Sequence, residues 1–127
     1  MRIEHIALWT SRLEELKAFY ETYFGARAGE KYINPTKQFE SYFLSFSDGA
    51  RLELMRVPGI AGDRRRDEQA GYHHIAFAVG SREQVDALTE RLRGDGYRVV
   101  GEPRRTGDGY YESVVLDPDG NRVEITY

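Results

Sequence analysis

The sequence predicts an α+β protein assembled from two tandem copies of one βαβββ module, and three observations carry that prediction. A short motif recurs: His5-Ile6-Ala7-Leu8 matches His74-Ile75-Ala76-Phe77, 69 residues further on. Each copy is followed by a helix-start pattern, Thr10-Ser11-Arg12-Leu13-Glu14 in the first half and Gly80-Ser81-Arg82-Glu83 in the second. Hydroxyl side chains there satisfy the first free N–H groups of a helix. A longer stretch then repeats at an offset of 71 residues, Phe43 to Leu54 against Val114 to Ile125, each with Asp-Gly between apolar runs. Self-similarity at a fixed period marks a duplicated unit, and the drift from 69 to 71 corresponds to one or two loop insertions.

The elements follow in order. Residues 2–9 alternate as a strand. Residues 11–24 place Leu13, Leu16, Phe19, Tyr20 and Tyr23 at helical spacing, and Gly25 ends the helix. Tyr42 to Phe46 and Arg51 to Met55 flank Asp48-Gly49 as a hairpin. The second half repeats this with a strand over 73–79 and a helix over 81–93, whose apolar stripe is Val85, Leu88 and Leu92 and whose stop is Gly94 to Gly96. Its hairpin joins Ser113 to Leu116 with Arg122 to Thr126 through Asp119-Gly120. Residues 58–71, with Pro58, Gly59, Gly62, Arg64-Arg65-Arg66 and Gly71, predict a solvated linker. A single domain is expected, with module 1 over about 1–57 and module 2 over about 72–127.

Composition excludes several classes of function. A chain of 127 residues with 40% hydrophobic and 31% charged residues can bury a core and is ordinary for a globular protein. A net charge of -3 argues against nucleic acid as a partner, because neutralising phosphates calls for a basic excess. The absence of cysteine excludes disulfides, thiolate metal sites and a cysteine nucleophile. No stretch approaches the roughly 20 apolar residues that span a bilayer, and Met1 to His5 lack the apolar core of a leader, so no membrane partner and a cytoplasmic location are expected.

Strand parity sorts the polar residues, since alternate side chains point to opposite faces. On the first strand Ile3, His5, Ala7 and Trp9 share a face, with Ile6 and Leu8 opposite. His74, Ala76 and Ala78 do the same in the second copy, with Ile75, Phe77 and Val79 opposite. Arg51, Glu53 and Met55 oppose Leu52 and Leu54, as Arg122, Glu124 and Thr126 oppose Val123 and Ile125. Each module therefore bears a histidine strand and a glutamate strand, and the small alanines leave room beside the imidazoles. His5, Glu53, His74 and Glu124 form a donor set suited to one divalent first-row metal ion with open positions for water or substrate. Any one of them alone reads equally as a solvated or hydrogen-bonded strand residue; their recurrence at matched positions favours the metal. His73 points away from the face of His74 and is expected to be a solvated or hydrogen-bonded residue rather than a ligand.

On these residues the chain resembles the vicinal oxygen chelate superfamily, which includes glyoxalase I, methylmalonyl-CoA epimerase, extradiol dioxygenases and the fosfomycin and bleomycin resistance proteins. The resemblance covers essentially all of the chain. It is most specific to glyoxalase I, whose four ligands fall on His5, Glu53, His74 and, after Asp117-Pro118-Asp119-Gly120, Glu124. It implies a curled, barrel-like mixed sheet with the helices outside, a homodimer, and a single divalent ion, Zn or Ni first, with Fe, Co or Mn as alternatives. It further implies a small-molecule substrate with vicinal oxygens, held as a metal-stabilised enediolate while a carboxylate shuttles a proton. Glu124 is the expected base, with Glu53 as ligand or opposite-face partner.

The substrate is less constrained. In glyoxalase I an arginine four residues after the first histidine holds the glutathione carboxylate; that place is Trp9 here. Trp9, Tyr42, Met55 and Tyr111 suit a flatter or more apolar substrate, although core packing is the commoner fate of such side chains. Arg51 and Arg122 share faces with the glutamates and are candidates for an anionic group, or are solvated beside their turns. An extradiol dioxygenase using two His and one Glu around Fe(II), and a resistance or drug-binding protein, are the alternative readings.

Overall fold

The computed structural model describes residues 1–60 and 71–127. The chain divides into two compact units, Met1–Gly62 and Asp63–Tyr127. The described residues form nine strands and two helices: β1 (His5–Trp9), α1 (Leu13–Phe24), β2 (Arg27–Ala28), β3 (Tyr32–Asn34), β4 (Phe39–Ser45) and β5 (Arg51–Arg56), then β6 (His74–Ala78), α2 (Arg82–Gly94), β7 (Val99–Arg105), β8 (Tyr111–Leu116) and β9 (Arg122–Thr126). The α+β class and the doubled module are as the sequence predicts. Each unit carries its own open mixed sheet, in the order β1-β5-β4-β2 with β3 also on β4, and β6-β9-β8-β7. Most of the charged linker expected over 58–71 lies outside the described residues; Pro58 and Gly59 form a turn.

The duplication extends to the register. The parallel pair β1/β5 sets His5 against Arg51 and Ala7 against Glu53. The parallel pair β6/β9 sets His74 against Arg122 and Ala76 against Glu124. Phe43 faces Glu53 across β4/β5, and Val114 faces Glu124 across β8/β9.

Each helix covers one face of its own sheet. Leu13, Leu16, Phe19 and Tyr20 of α1 and Leu44, Leu52 and Leu54 of the first sheet are buried. In the second unit Val85, Thr89 and Leu92 of α2 are buried, as are Val115, Val123 and Ile125. Fully burying one such aliphatic side chain stabilises by about 1.5–3 kcal/mol. Leu88, expected in the stripe, is only half-buried; Thr89 takes the central place, with its hydroxyl 2.6 Å from both Val85 O and Ser113 Oγ. Satisfied in this way, a polar pair can lie under a helix without the cost of an orphaned hydroxyl.

Several boundaries differ from the sequence reading. β1 begins at His5 rather than residue 2 because its partner β5 begins at Arg51, just after the turn. Ile3 is therefore exposed and outside the strand whose face it was expected to share. α1 begins at Leu13 because the buried Thr10 hydroxyl accepts from Arg12 N at 2.8 Å, holding residues 10–12 in a turn. Ser81, by contrast, caps α2 as expected, accepting from Gln84 N at 3.2 Å. At the other end of α1, Gly25 takes the left-handed conformation (φ 66°) that a helix C-terminus commonly needs. The second strand of the module, at the sheet edge, is irregular in both units: β2 and β3 split it in the first, and β7 slips register twice in the second.

Candidate metal and substrate site

The helix-free face of each sheet carries the histidine and glutamate. In the first unit His5 Nε2 lies 3.8 Å from Glu53 Oε2; in the second, His74 Nε2 lies 3.6 Å from Glu124 Oε2. Two donors that each bind one ion at about 2.0–2.2 Å stand roughly 3–4 Å apart, so both pairs have the spacing of neighbouring metal ligands. In each pair the imidazole is 41% exposed, while the carboxylates are 16% and 15% exposed. The donors are therefore open on the imidazole side and held by sheet on the carboxylate side. No group of three or more such donors suited to a metal gathers among the described residues, so each unit by itself contributes two.

Around His5 the first unit builds an aromatic surround. The His5 ring meets Phe43 edge-on at 5.4 Å, and the Arg51 guanidinium stacks over the same Phe43 ring at 4.2 Å. Arg51 also donates from Nε to Glu4 Oε1 at 2.8 Å, and Glu4 in turn binds His5 Nδ1. These hydrogen bonds, first from His5 and then from Arg51, hold the Glu4 carboxyl below its usual range. Trp9 pairs with Met55, stands edge-on to Phe39 at 6.2 Å and is 53% exposed. Phe39 also meets Tyr32 at 6.0 Å.

The second unit differs beyond its His–Glu pair. Opposite Ala78 stands Thr126, and Thr126 pairs with Glu112 of β8. Sequence reasoning missed Glu112, although its alternation with Val114 places it on the face of Glu124. Its side chain is 12% exposed, with Arg104 Nη2 3.6 Å away. Burial, reinforced by a hydrogen bond with Glu124, pushes the Glu112 carboxyl above its usual range. Asp117 was read only as part of a turn; it is buried, and its Oδ1 accepts from Asp119 N and Asn121 N, both at 2.9 Å, so it shapes the loop that feeds Glu124 into place.

Two of the proposed substrate contacts do not reach these faces. Tyr42 pairs with buried Leu54 on the helix side, where its hydroxyl donates to Glu14 at 3.1 Å; burial and that acceptor raise its pKa. Tyr111 is 7% exposed and donates to Asp86 of α2 at 2.7 Å, with Arg82 over its ring at 4.6 Å. Both tyrosines take the core-side fate that the sequence allows and lie away from the faces that carry the His–Glu pairs. Trp9, Met55, Arg51 and Arg122 do lie on the open faces of their sheets.

A sheet bearing a half-open His–Glu pair, with a covering helix on its other side, is thus built twice in one small α+β chain. The family model of the Glyoxalase/Bleomycin resistance protein/Dioxygenase superfamily matches residues 2–125, and the chain belongs to that superfamily. It is 30% identical to an ethylmalonyl-CoA/methylmalonyl-CoA epimerase of Cereibacter sphaeroides over 81% of this chain and 78% of the epimerase. It is also 30% identical to the metallothiol transferase FosB of Lysinibacillus sphaericus, over 97% of this chain and 79% of the transferase. Glyoxalase I of Zea mays shares the fold, with a TM-score of 0.81 at 24% identity; the match covers 98% of this chain and 44% of the maize chain.

Proposed function

We propose that this chain is a metal-dependent enzyme of the glyoxalase I-like lyase or isomerase type, acting on a small molecule with two vicinal oxygens. The carrying observation is the recurrence of one His–Glu pair, at ligand spacing and in the same strand register, in both units. In this proposal the 127 residues work as one domain, and His5, Glu53, His74 and Glu124 together hold one ion, Zn or Ni. The working form is a cytoplasmic homodimer. Metal-dependent relatives, among them a metallothiol transferase, support the metal.

A divalent ion held by these donors supplies Lewis acidity to two neighbouring substrate oxygens. The residues supply the rest. Glu124 takes a proton from the carbon beside those oxygens and returns it, and Glu53 stands as ligand or partner on the opposite side. Glu112, whose carboxyl burial holds above its usual range, stands beside Glu124 on the same face of the second sheet. Trp9 and Met55 give the first sheet an apolar surface for the non-reacting part of the substrate, which favours a flat or aliphatic group over the glutathione carboxylate. Arg51 and Arg122 are placed for an anionic group.

An epimerase reading is favoured by the 30% identity to the Cereibacter enzyme. It needs the same proton chemistry, because removing and returning a proton on opposite faces of one carbon inverts it. Metal analysis of protein purified without chelator tests the site. About one Zn or Ni per proposed centre, lost in His5→Ala and His74→Ala, is expected, and a chain that takes up no metal on titration overturns the reading. Deuterium incorporation from heavy water then separates the reactions. Exchange with thiohemiacetals of 2-oxoaldehydes supports the lyase, exchange with 2-alkylmalonyl thioesters supports the epimerase, and oxygen uptake with catechols overturns both in favour of a dioxygenase. Glu124→Gln should lose exchange; unchanged metal content and turnover remove it from the mechanism.

A further inference from the structure

The residue immediately before each histidine holds that histidine's other ring nitrogen. In the first unit His5 Nδ1 is bonded to the Glu4 carboxylate. In the second His74 Nδ1 lies 3.0 Å from His73 Nδ1. Glu4 and His73 are 69 residues apart, the same spacing as His5 and His74, so they occupy one place in the repeat with different chemistry.

The proton has to be assigned from the partners. A carboxylate only accepts, so in neutral His5 the hydrogen sits on Nδ1 and the lone pair on Nε2, the atom that faces Glu53. Between two neutral imidazoles one Nδ1 donates and the other accepts. The distances decide which arrangement suits His74. Its Nδ1 contact, at 3.0 Å, is within hydrogen-bond reach, whereas its Nε2 is 3.6 Å from Glu124 and beyond it. A hydrogen on Nδ1 therefore meets a protein partner at hydrogen-bond distance, whereas one on Nε2 is left to solvent.

We propose that His73 is a positioning residue that locks His74 in the Nδ1–H tautomer, as Glu4 does for His5, so that both Nε2 lone pairs face the carboxylates. Partners of this kind orient metal-binding histidines and raise their basicity, and their loss commonly lowers metal affinity by about 10–100-fold. The inference rests on the metal reading for its purpose, but not for its test. Glu4 is itself held by Arg51, so the carboxylate version of the device is built into its sheet through a second contact. His73 is exposed and outside the strand, so replacing it leaves the core of the second unit untouched.

The test is long-range proton–nitrogen NMR of the full chain labelled at its histidines, metal-free at about pH 8. Zinc affinity by competition titration is read in parallel. The wild type should show Nδ1–H for His5 and His74. His73→Ala should leave His74 a mixture of tautomers and weaken zinc binding about 10–100-fold. His73→Glu, which copies the first unit, should restore both. A wild-type His74 carrying its hydrogen on Nε2, or a tautomer and zinc affinity unchanged in His73→Ala, overturns the inference while leaving the metal reading intact. A tautomer that depends on His73 in a chain that binds no zinc upholds the positioning role and overturns the metal reading instead. Backbone amide spectra of each variant separate misfolding from either result, and the His73→Glu rescue keeps the test decisive if His73→Ala is poorly folded.

Discussion

Beside the His5–Glu53 pair, the open face of the first sheet carries Trp9, Met55 and Phe43; beside His74–Glu124, the matched places of the second hold Ala78, Thr126 and Val114. Ser41, buried next to Met55, is replaced at the matched position by Glu112. Large aromatic and thioether groups on one sheet thus correspond to small and acidic groups on the other. What the duplication kept is the pair of donors and the strand register that spaces them. What it let diverge is everything around them. A copied backbone can hold a shared chemical element in both units while one face becomes large and apolar and the other small and acidic.

The helix-covered sides should be the most nearly equivalent. Leu54 and Ile125 occupy matched positions and are fully buried. Leu54→Ala and Ile125→Ala should each cost about 2–5 kcal/mol in urea denaturation. If one substitution proves nearly neutral, the two cores are not energetic copies of each other.

The donor pairs come next. His5→Ala and His74→Ala should weaken zinc binding to a similar degree, by about 100-fold or more, or about 2.8 kcal/mol, in competition titration. A loss confined to one of the two would show that the pairs are equivalent in geometry but not in use.

Smaller effects should separate the units. Thr89→Val keeps the shape under α2 but leaves the Ser113 hydroxyl short of a partner; a cost of about 1–3 kcal/mol is expected in thermal unfolding. The place of Ser113 in the first unit is Tyr42, which reaches Glu14 instead, so Tyr42→Phe should cost less, its hydroxyl being near the surface.

The smallest effect is the pH dependence of Glu112. Its folded pKa is raised above the ordinary value of 4.5, so the folded chain holds this proton more tightly than the unfolded chain does. The contribution favours folding below that value and is lost as pH rises through the raised pKa. Glu112→Gln should therefore raise the Tm near pH 7 and change it little near pH 4, with Ser41→Ala in the first unit showing no such slope. A stabilisation that grows toward acid would reverse the assignment of burial as the dominant cause.

Much of this was legible before any coordinates. The Asp48-Gly49 and Asp119-Gly120 turns set both hairpins, and once a hairpin is placed, parity puts Glu53 with Arg51 and Met55, and Glu124 with Arg122 and Thr126. Tyr42 and Tyr111 stay open between core and ligand in the sequence because an aromatic residue suits either face of a strand, and only its cross-strand partner, Leu54 for Tyr42, reveals which one it takes. Glu112 is missed in the sequence because the hairpin reads as starting at Ser113, two residues after the true start of β8 at Tyr111.

The sequence alone determined the α+β class, the repeated module, the two helices and the sharing of a face by each histidine with its glutamate's strand neighbours, because those follow from local periods of two and 3.6 residues and from turn chemistry. Only the tertiary structure decided where β1 begins, how the second strand of each module breaks, which tyrosines turn toward the helices, and which atoms hold Nδ1 of His5 and His74. Each of those depends on a partner brought in from elsewhere in the chain or on side-chain rotation at a strand end, and neither leaves a periodic trace in the sequence.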